Sequence, residues 1–358
     1  MSVRFNQAES KIIKLCGGFP QGSLIGQDCY LGASHDAAEE VNPEDKFRYI
    51  DDLEILELIM MSGILVDYDV HQQVPSDIPI GTQYLPSSET KTQTHLDQLA
   101  AWTDRNKMLL NPAKSSYTIF SRSREKFVTR LTVNGTKLDQ KEAVKILGCW
   151  IEEDAGKWGT NTKALCKSAY SRISMLSKLK YVGVHIEDLL EIYKLFIRSR
   201  AEYMSVLWHG NLTLAQEQKV ENIQKTSLKV LLAENYVDYP AALEMTGIKK
   251  LFLRRQERSL TFATRCLKNP LSRNMFPLNP QIPHDIRNTE KYHVNFANTE
   301  NYRNSAVPFC QRLLNMHESE KEQERRTQAE QERMSARTKE RARTEERART
   351  GERARTEG

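Results

Sequence analysis

The chain lacks CxxC pairs. Its six cysteines, at 16, 29, 149, 166, 266 and 310, are scattered over 358 residues. That scatter speaks against a disulfide framework and a zinc knuckle, and makes reduced intracellular thiols the expectation. Long apolar runs are also missing. The longest, LELIMMSGILV at 56–66, contains Glu57, Ser62 and Gly63. It falls short of the ~18 residues that a membrane span needs, so no membrane partner is expected. The first ten residues, MSVRFNQAES, are polar, so no signal peptide is expected.

Apolar residues are scarcest in the tail, 317–358, which cannot bury a core. ERARTE, ERARTG and ERARTE repeat there with period six over 340–357. Six matches neither the 3.6 of a packed helix nor a heptad. The tail therefore reads as a solvated single helix or as a disordered segment. An RNA-binding arginine segment is the functional alternative, but a glutamate offsets nearly every arginine. For the same reason no clean nuclear-localisation cluster separates nucleus from cytoplasm.

What is present is unevenly placed. The formal charge is +5, yet residues 1–110 are acidic by roughly nine charges and residues 157–275 basic by roughly ten. An acidic part followed by a basic helical part suits a metal site beside a nucleic-acid backbone. Solvated helix faces are the alternative.

The pattern along the chain gives an α+β reading. GGFPQGSLIG (17–26) is a Gly-rich turn, and QDCYLGASHDAAEEV (27–41) reads as a helix. FRYI and LEILELI flank Asp51 and Asp52 as the arms of a hairpin. Residues 64–94 read as a polar loop with Pro75, Pro79 and Pro86. A helix is expected over 94–110. Strands are expected over 115–122, over 130–138 with an Asn134–Gly135 turn, and over 143–151 with a glycine inside. Four helices follow, over 161–181, 185–208, 215–233 and 250–269. Residues 270–310 read as irregular.

The adjacent carboxylates of DKFRYIDDLEI (45–55) pose a physical question. Like charges side by side repel, and desolvating them is expensive. A tight turn tolerates aspartate. A divalent metal would offset both costs.

Five blocks, in order, resemble a non-LTR (LINE-type) retrotransposon reverse transcriptase. They are GGFPQGSLIG (17–26), FRYIDDLEI (47–55), W…N…LLNPAKSSYTIFSR (102–122), KILGCWI (145–151) and the helical region after them. The resemblance covers residues 11–315. It implies an RNA-directed DNA polymerase working on an RNA template, a DNA primer and dNTPs, with Mg²⁺ or Mn²⁺ as cofactor. Asp51 would be the principal metal ligand and Asp52 the weaker one, with Tyr49 under the primer terminus. Two metals about 3.5–4 Å apart can stabilise the attacking and leaving oxygens of an in-line displacement.

The other roles follow from the same resemblance. Phe19, Pro20, Gln21 and Gly22 would contact the templating base and the incoming nucleotide, where Gly22 permits close backbone approach. The alternative is an ordinary Pro-Gly turn. Lys114 in LNPAKS would act as general acid or charge stabiliser near the leaving pyrophosphate, or it is a solvated turn lysine. Leu147 and Gly148 match a hairpin that grips the primer, against a plain core strand. Lys163, Lys167, Arg172, Lys178 and Lys180 would track phosphates, against a solvated helix face.

The implied domains are a partial palm of mostly antiparallel sheet with helices (1–155) and an all-helical thumb-like domain (156–280). An irregular extension (281–316) and the charged tail (317–358) follow. The family also uses a further metal-binding aspartate upstream of the PQG turn, and fingers that clamp the nucleotide. Before that turn the only acidic residue is Glu9. The expectation is a polymerase fragment that does not extend primers alone. A non-catalytic nucleic-acid-binding remnant using the basic helices is the alternative.

Overall fold

The computed structural model describes residues 4–5, 8–9, 34, 36–39, 41, 46–49, 52–57, 82–85, 90–121, 126–154, 156–279 and 290–356. The expected PQG turn, with Phe19, Pro20, Gln21 and Gly22, lies outside them, as does Asp51. The chain mixes strands with helices and divides into two compact units, 1–144 and 145–358. Among the described residues no helix is long and apolar enough to cross a membrane.

In the first unit the strands pair in twos. β1 (Arg4–Phe5) pairs with β2 (Ala8–Glu9), and β3 (Lys46–Tyr49) with β4 (Asp52–Ile55), both antiparallel. β5 (Thr82–Tyr84) later meets β7 (Lys126–Val128) in parallel. The helix α1 (Lys91–Arg105) precedes β6 (Ser116–Tyr117). β8 (Thr132–Val133) and β9 (Thr136–Lys137) form a hairpin, and β10 (Asp139–Gln140) runs parallel to β6. Asn134 and Gly135, both at positive φ, make the expected tight turn between β8 and β9.

Three expectations for this unit change. Residues 36–39 form turns rather than part of a helix, with Ala37, Glu39 and Val41 amides each bonded three residues back. Ala38 sits at φ 55, a left-handed conformation that a helix cannot contain. The loop expected over 64–94 holds β5, and α1 begins at Lys91, not at 94. The strand expected over 115–122 is two residues long, because the turn after α1 takes up Asn111–Ser115.

The early start of α1 has a physical cause far away in sequence. The Glu57 carboxylate accepts the Lys91 and Thr92 backbone N–H groups at 2.9 and 2.8 Å, and the Thr92 hydroxyl at 2.5 Å. These are orphan donors of a first helical turn, and a negative charge there is favoured. Thr90, the residue at the cap, makes no side-chain cap of its own. Leu99 and Trp102 of α1 then pack with Ala37, Ala38 and Val41, and against Leu53 and Ile55 of β4.

The second unit is a helical bundle entered through a hairpin of β11 (Ala143–Ile146) and β12 (Cys149–Glu152). The unit boundary falls inside β11, not at 155. β12 belongs with the helices because Asn161 binds it: its Oδ1 accepts the Trp150 N–H at 3.3 Å. α2 (Gly159–Tyr181) buries Leu165, Ala169, Ile173 and Leu176 at helical spacing. α3 (Ile186–Ile192) runs into a π-helical segment (Tyr193–Arg198) and α4 (Ser199–Ala201). Met204 at φ 50 breaks the single helix expected over 185–208 before α5 (Ser205–Trp208).

α6 (Leu214–Leu232) opens on a Thr213–Gln216 capping box. α7 (Tyr239–Thr246), absent from the sequence reading, is capped by Asp238, carries Pro240 in its first turn and stops at Gly247, φ 64. α8 (Leu251–Lys268) lacks a capping side chain of its own. Buried Glu221 of α6 supplies one, accepting the Leu251 and Phe252 N–H groups at 3.1 Å each. The region expected as irregular over 281–316 contains α9 (Glu300–Arg303) and the start of α10 (Ala306–Thr356). Cys310 and Leu314 bury against Ala263 and Cys266 of α8, which is what makes 306–316 helical. For the tail, of the two expected states, the helical one is found. Its side chains from Ser319 to Lys339 are exposed.

Replacing Glu57 tests the long-range cap. Burial pushes its carboxyl up, but the Thr92 hydroxyl and the Lys91 and Thr92 amides outweigh this and hold it below the ordinary 4.5. A lowered carboxyl stabilises the fold above its unfolded value and ceases to do so as pH falls through the folded one. Glu57→Ala should speed amide exchange at Lys91 and Thr92 and cost about 1 kcal/mol near neutral pH. The gap to the unaltered chain should narrow as pH is taken below 4.5.

Candidate nucleic-acid interface

The hairpin of β3 and β4 pairs Lys46 with Ile55, Phe47 with Glu54, Arg48 with Leu53 and Tyr49 with Asp52. Tyr49 and Asp52 are the last described pair, and Ile50 and Asp51 lie outside the described residues. Lys46 anchors the open end, its Nζ donating to the Ala38 carbonyl at 2.8 Å. Leu53 and Ile55 hold β4 on the first unit's core. Among the described residues no group of three or more His, Cys, Asp or Glu is placed to hold a metal ion.

Lys114 lies in the turn after α1. The Asn111 carbonyl accepts the Lys114 and Ser115 amides at 3.0 and 3.1 Å, and Asn111 Oδ1 accepts the Ala113 amide at 3.1 Å. The Lys114 side chain is exposed. Among the described residues it joins no ion pair.

Leu147 and Gly148 form the two-residue turn between β11 and β12. Their φ values are 46° and 87°. Two positive values in succession are what a tight hairpin with right-handed twist requires. The single strand expected over 143–151 is therefore a hairpin, because the chain reverses at Gly148. The Tyr203 hydroxyl donates to the Leu147 carbonyl at 2.5 Å, tying this turn to the helical bundle. A Cβ on Gly148 would come 3.4 Å from the Tyr203 ring.

The basic residues expected on the first long helix divide into two groups. Lys163, Lys167 and Lys178 are exposed and share one face of α2 at 3.6 residues per turn. Arg172 and Lys180 are half-buried on its flanks, and Arg172 donates to Ser168 Oγ at 3.0 Å.

A second cationic group was not legible in the sequence. Glu202, just past α4, keeps a side chain only 1% exposed. Arg254 of α8 grips it with two nitrogens, at 2.5 and 3.2 Å, and Arg258, one turn on, reaches it at 3.0 Å. One forked contact from Arg254 and one single contact from Arg258, both charge-assisted, repay the desolvation of the carboxylate. Glu202 pushes the Arg254 guanidinium up. Arg198 belongs to the same neighbourhood. Burial pulls its proton affinity down, Arg254 lowers it further, and Glu202 works the other way. Three guanidiniums thus gather around one carboxylate. The Arg200 guanidinium stands over the Tyr203 ring, 5.7 Å from its centroid. The ion pair joins residues 52 apart, so no local pattern could have revealed it.

Two substitutions probe this arrangement. Glu202→Gln leaves Arg254 and Arg258 facing each other without their counter-charge. Removal of one partner from a buried pair costs about 3–5 kcal/mol. Because Arg258 is 51% exposed, the expected loss in denaturant unfolding is at the lower end, about 3 kcal/mol. Gly148→Ala should cost about 1 kcal/mol through backbone strain, with faster amide exchange confined to the β11–β12 hairpin.

Compared with known proteins, the chain matches no family model, no curated protein and no solved structure.

Proposed function

We propose that this chain carries palm and thumb segments like those of a non-LTR retrotransposon reverse transcriptase, an RNA-directed DNA polymerase by family. The observation that carries the reading is the β3–β4 register. Tyr49 pairs with Asp52 at the last described position of an antiparallel hairpin, which supports the expectation that the adjacent carboxylates sit at a hairpin's closed end. Asp51 and Asp52 would hold Mg²⁺ or Mn²⁺, which would neutralise charge on the reacting phosphate. RNA template, DNA primer and dNTPs are the partners this reading implies. The residues that match the family's metal site are this pair alone, so we expect the chain by itself not to extend a primer.

A second reading, a non-catalytic nucleic-acid-binding remnant, is favoured by the gathering of Arg198, Arg254 and Arg258 around Glu202. It needs no metal and no dNTP. It asks only for phosphates to neutralise the surplus cations.

One experiment addresses both. Primer extension on an RNA template is run with Mg²⁺ and with Mn²⁺, beside an Asp51→Asn, Asp52→Asn double variant. Retention of the labelled template-primer on the protein is followed over a salt series. No extension with salt-sensitive binding, the same in chain and double variant, is the expected result. Extension abolished by the double variant would overturn the claim of inactivity. Absence of binding at low salt would overturn the nucleic-acid assignment.

A further inference from the structure

We infer that the second unit binds one monovalent inorganic anion in its interior, on the guanidinium of Arg255. Arg255 lies on α8 with 0% of its surface exposed. An arginine stays charged even there, and a buried charge is expensive unless it is paired and hydrogen-bonded. Its Nε donates to His209 Nδ1 at 3.4 Å. Its Nη1 and Nη2, which carry four of the five N–H groups of an arginine, meet no acceptor among the described residues. Buried polar groups so placed call for a ligand or a water.

The nearby carboxylates are committed elsewhere. Glu221, Glu217 and Glu202 favour the charged arginine through space, yet burial outweighs them. Glu221 accepts the Leu251 and Phe252 amides and the Tyr239 hydroxyl, and Glu202 holds Arg254 and Arg258. Trp208 faces the guanidinium with its ring, 5.7 Å to the centroid, which eases the charge but accepts none of the N–H groups in their plane.

What surrounds Arg255 is rich in donors. α5 packs on α8, and Ser205, Trp208 and His209 fall at i, i+3 and i+4, on one side of their helix. Burial and the neighbouring Arg255 pull His209 down to about 3, so its ring is neutral. With Nδ1 accepting, its hydrogen is on Nε2. That Nε2 and the Ser205 Oγ are also buried without a partner. The unmet side-chain groups here are N–H donors and one hydroxyl. A water could accept from them but would have to place two hydrogens of its own. An anion only accepts. A monovalent one cancels a single guanidinium, whereas a phosphate dianion would leave net negative charge in the core.

The test uses the full chain, chloride as the probe, and urea, which adds no ions. Unfolding is followed while sodium chloride replaces sodium gluconate at constant ionic strength. Gluconate is too large to enter a closed interior. Above the dissociation constant, each tenfold rise in chloride should raise the folded-to-unfolded ratio about tenfold, the linkage of one site. Arg255→Met should lose this dependence, and Arg265→Gln, on the exposed side of α8, should keep it. Should Arg255→Met not fold, Arg255→Lys, which keeps the charge but not the fork, should shift the dependence to at least tenfold higher chloride. No chloride effect in the unaltered chain overturns the inference and leaves water as the partner. A chloride effect retained in Arg255→Met, or unshifted in Arg255→Lys, also overturns it. If chloride acts only after Glu217→Gln, that carboxylate is the partner and the inference falls. No arm contains nucleic acid, so the polymerase reading is untouched by either result.

Discussion

The second unit turns on one buried carboxylate. Glu202 is withdrawn from water at the point where the chain leaves a π-helical segment, and it persists there because Arg254 and Arg258 reach it from α8. The two arginines are four residues apart, so one helix face delivers both guanidiniums. The pair fixes α8 against the end of α4. It also concentrates positive charge, because a carboxylate that binds two guanidiniums beside a third leaves a cationic surplus at the surface. Packing and electrostatics are here the same event.

A second carboxylate, Glu221, does complementary work in the interior. It caps α8 through the Leu251 and Phe252 amides and accepts the Tyr239 hydroxyl. Gln224, one turn along α6, donates to the Tyr239 hydroxyl and to the Lys249 carbonyl, and accepts the Tyr193 hydroxyl at 2.5 Å. Burial drives both tyrosine hydroxyls far above their ordinary values, so they stay protonated as donors. This polar spine holds α6, α7, α8 and the π-helical segment in one arrangement. It keeps Tyr193 and Ile197 inward and therefore Phe196 and Arg200 outward.

In the first unit the same logic operates at smaller scale. Glu57, just beyond β4, caps α1 across 34 residues. The hairpin that carries Asp52 is thereby tied to the helix that packs beneath it. On the proposed polymerase reading, such support would hold Asp52 in position.

Local chemistry could be read directly from the amino acids. The Asn134–Gly135 turn, the helices near 161–181, 215–233 and 250–269, and the apolar arms on either side of Asp51 and Asp52 follow from short-range patterns. Each needs only residues within a few positions of one another. The tail's lack of a packed face was legible for the same reason. The reversal at Leu147–Gly148 was less so, because a glycine inside an apolar run also suits a plain strand. What the sequence could not disclose depends on distant partners. Glu57 meets α1, Tyr203 meets Leu147 across 56 residues, and Glu202 meets Arg254 across 52. Periodicity marks which side of a helix is apolar, whereas the basic residues of α2 were singled out by the family resemblance. Periodicity carries no information about which helices meet, so only the tertiary structure brought Arg254 and Arg258 onto Glu202.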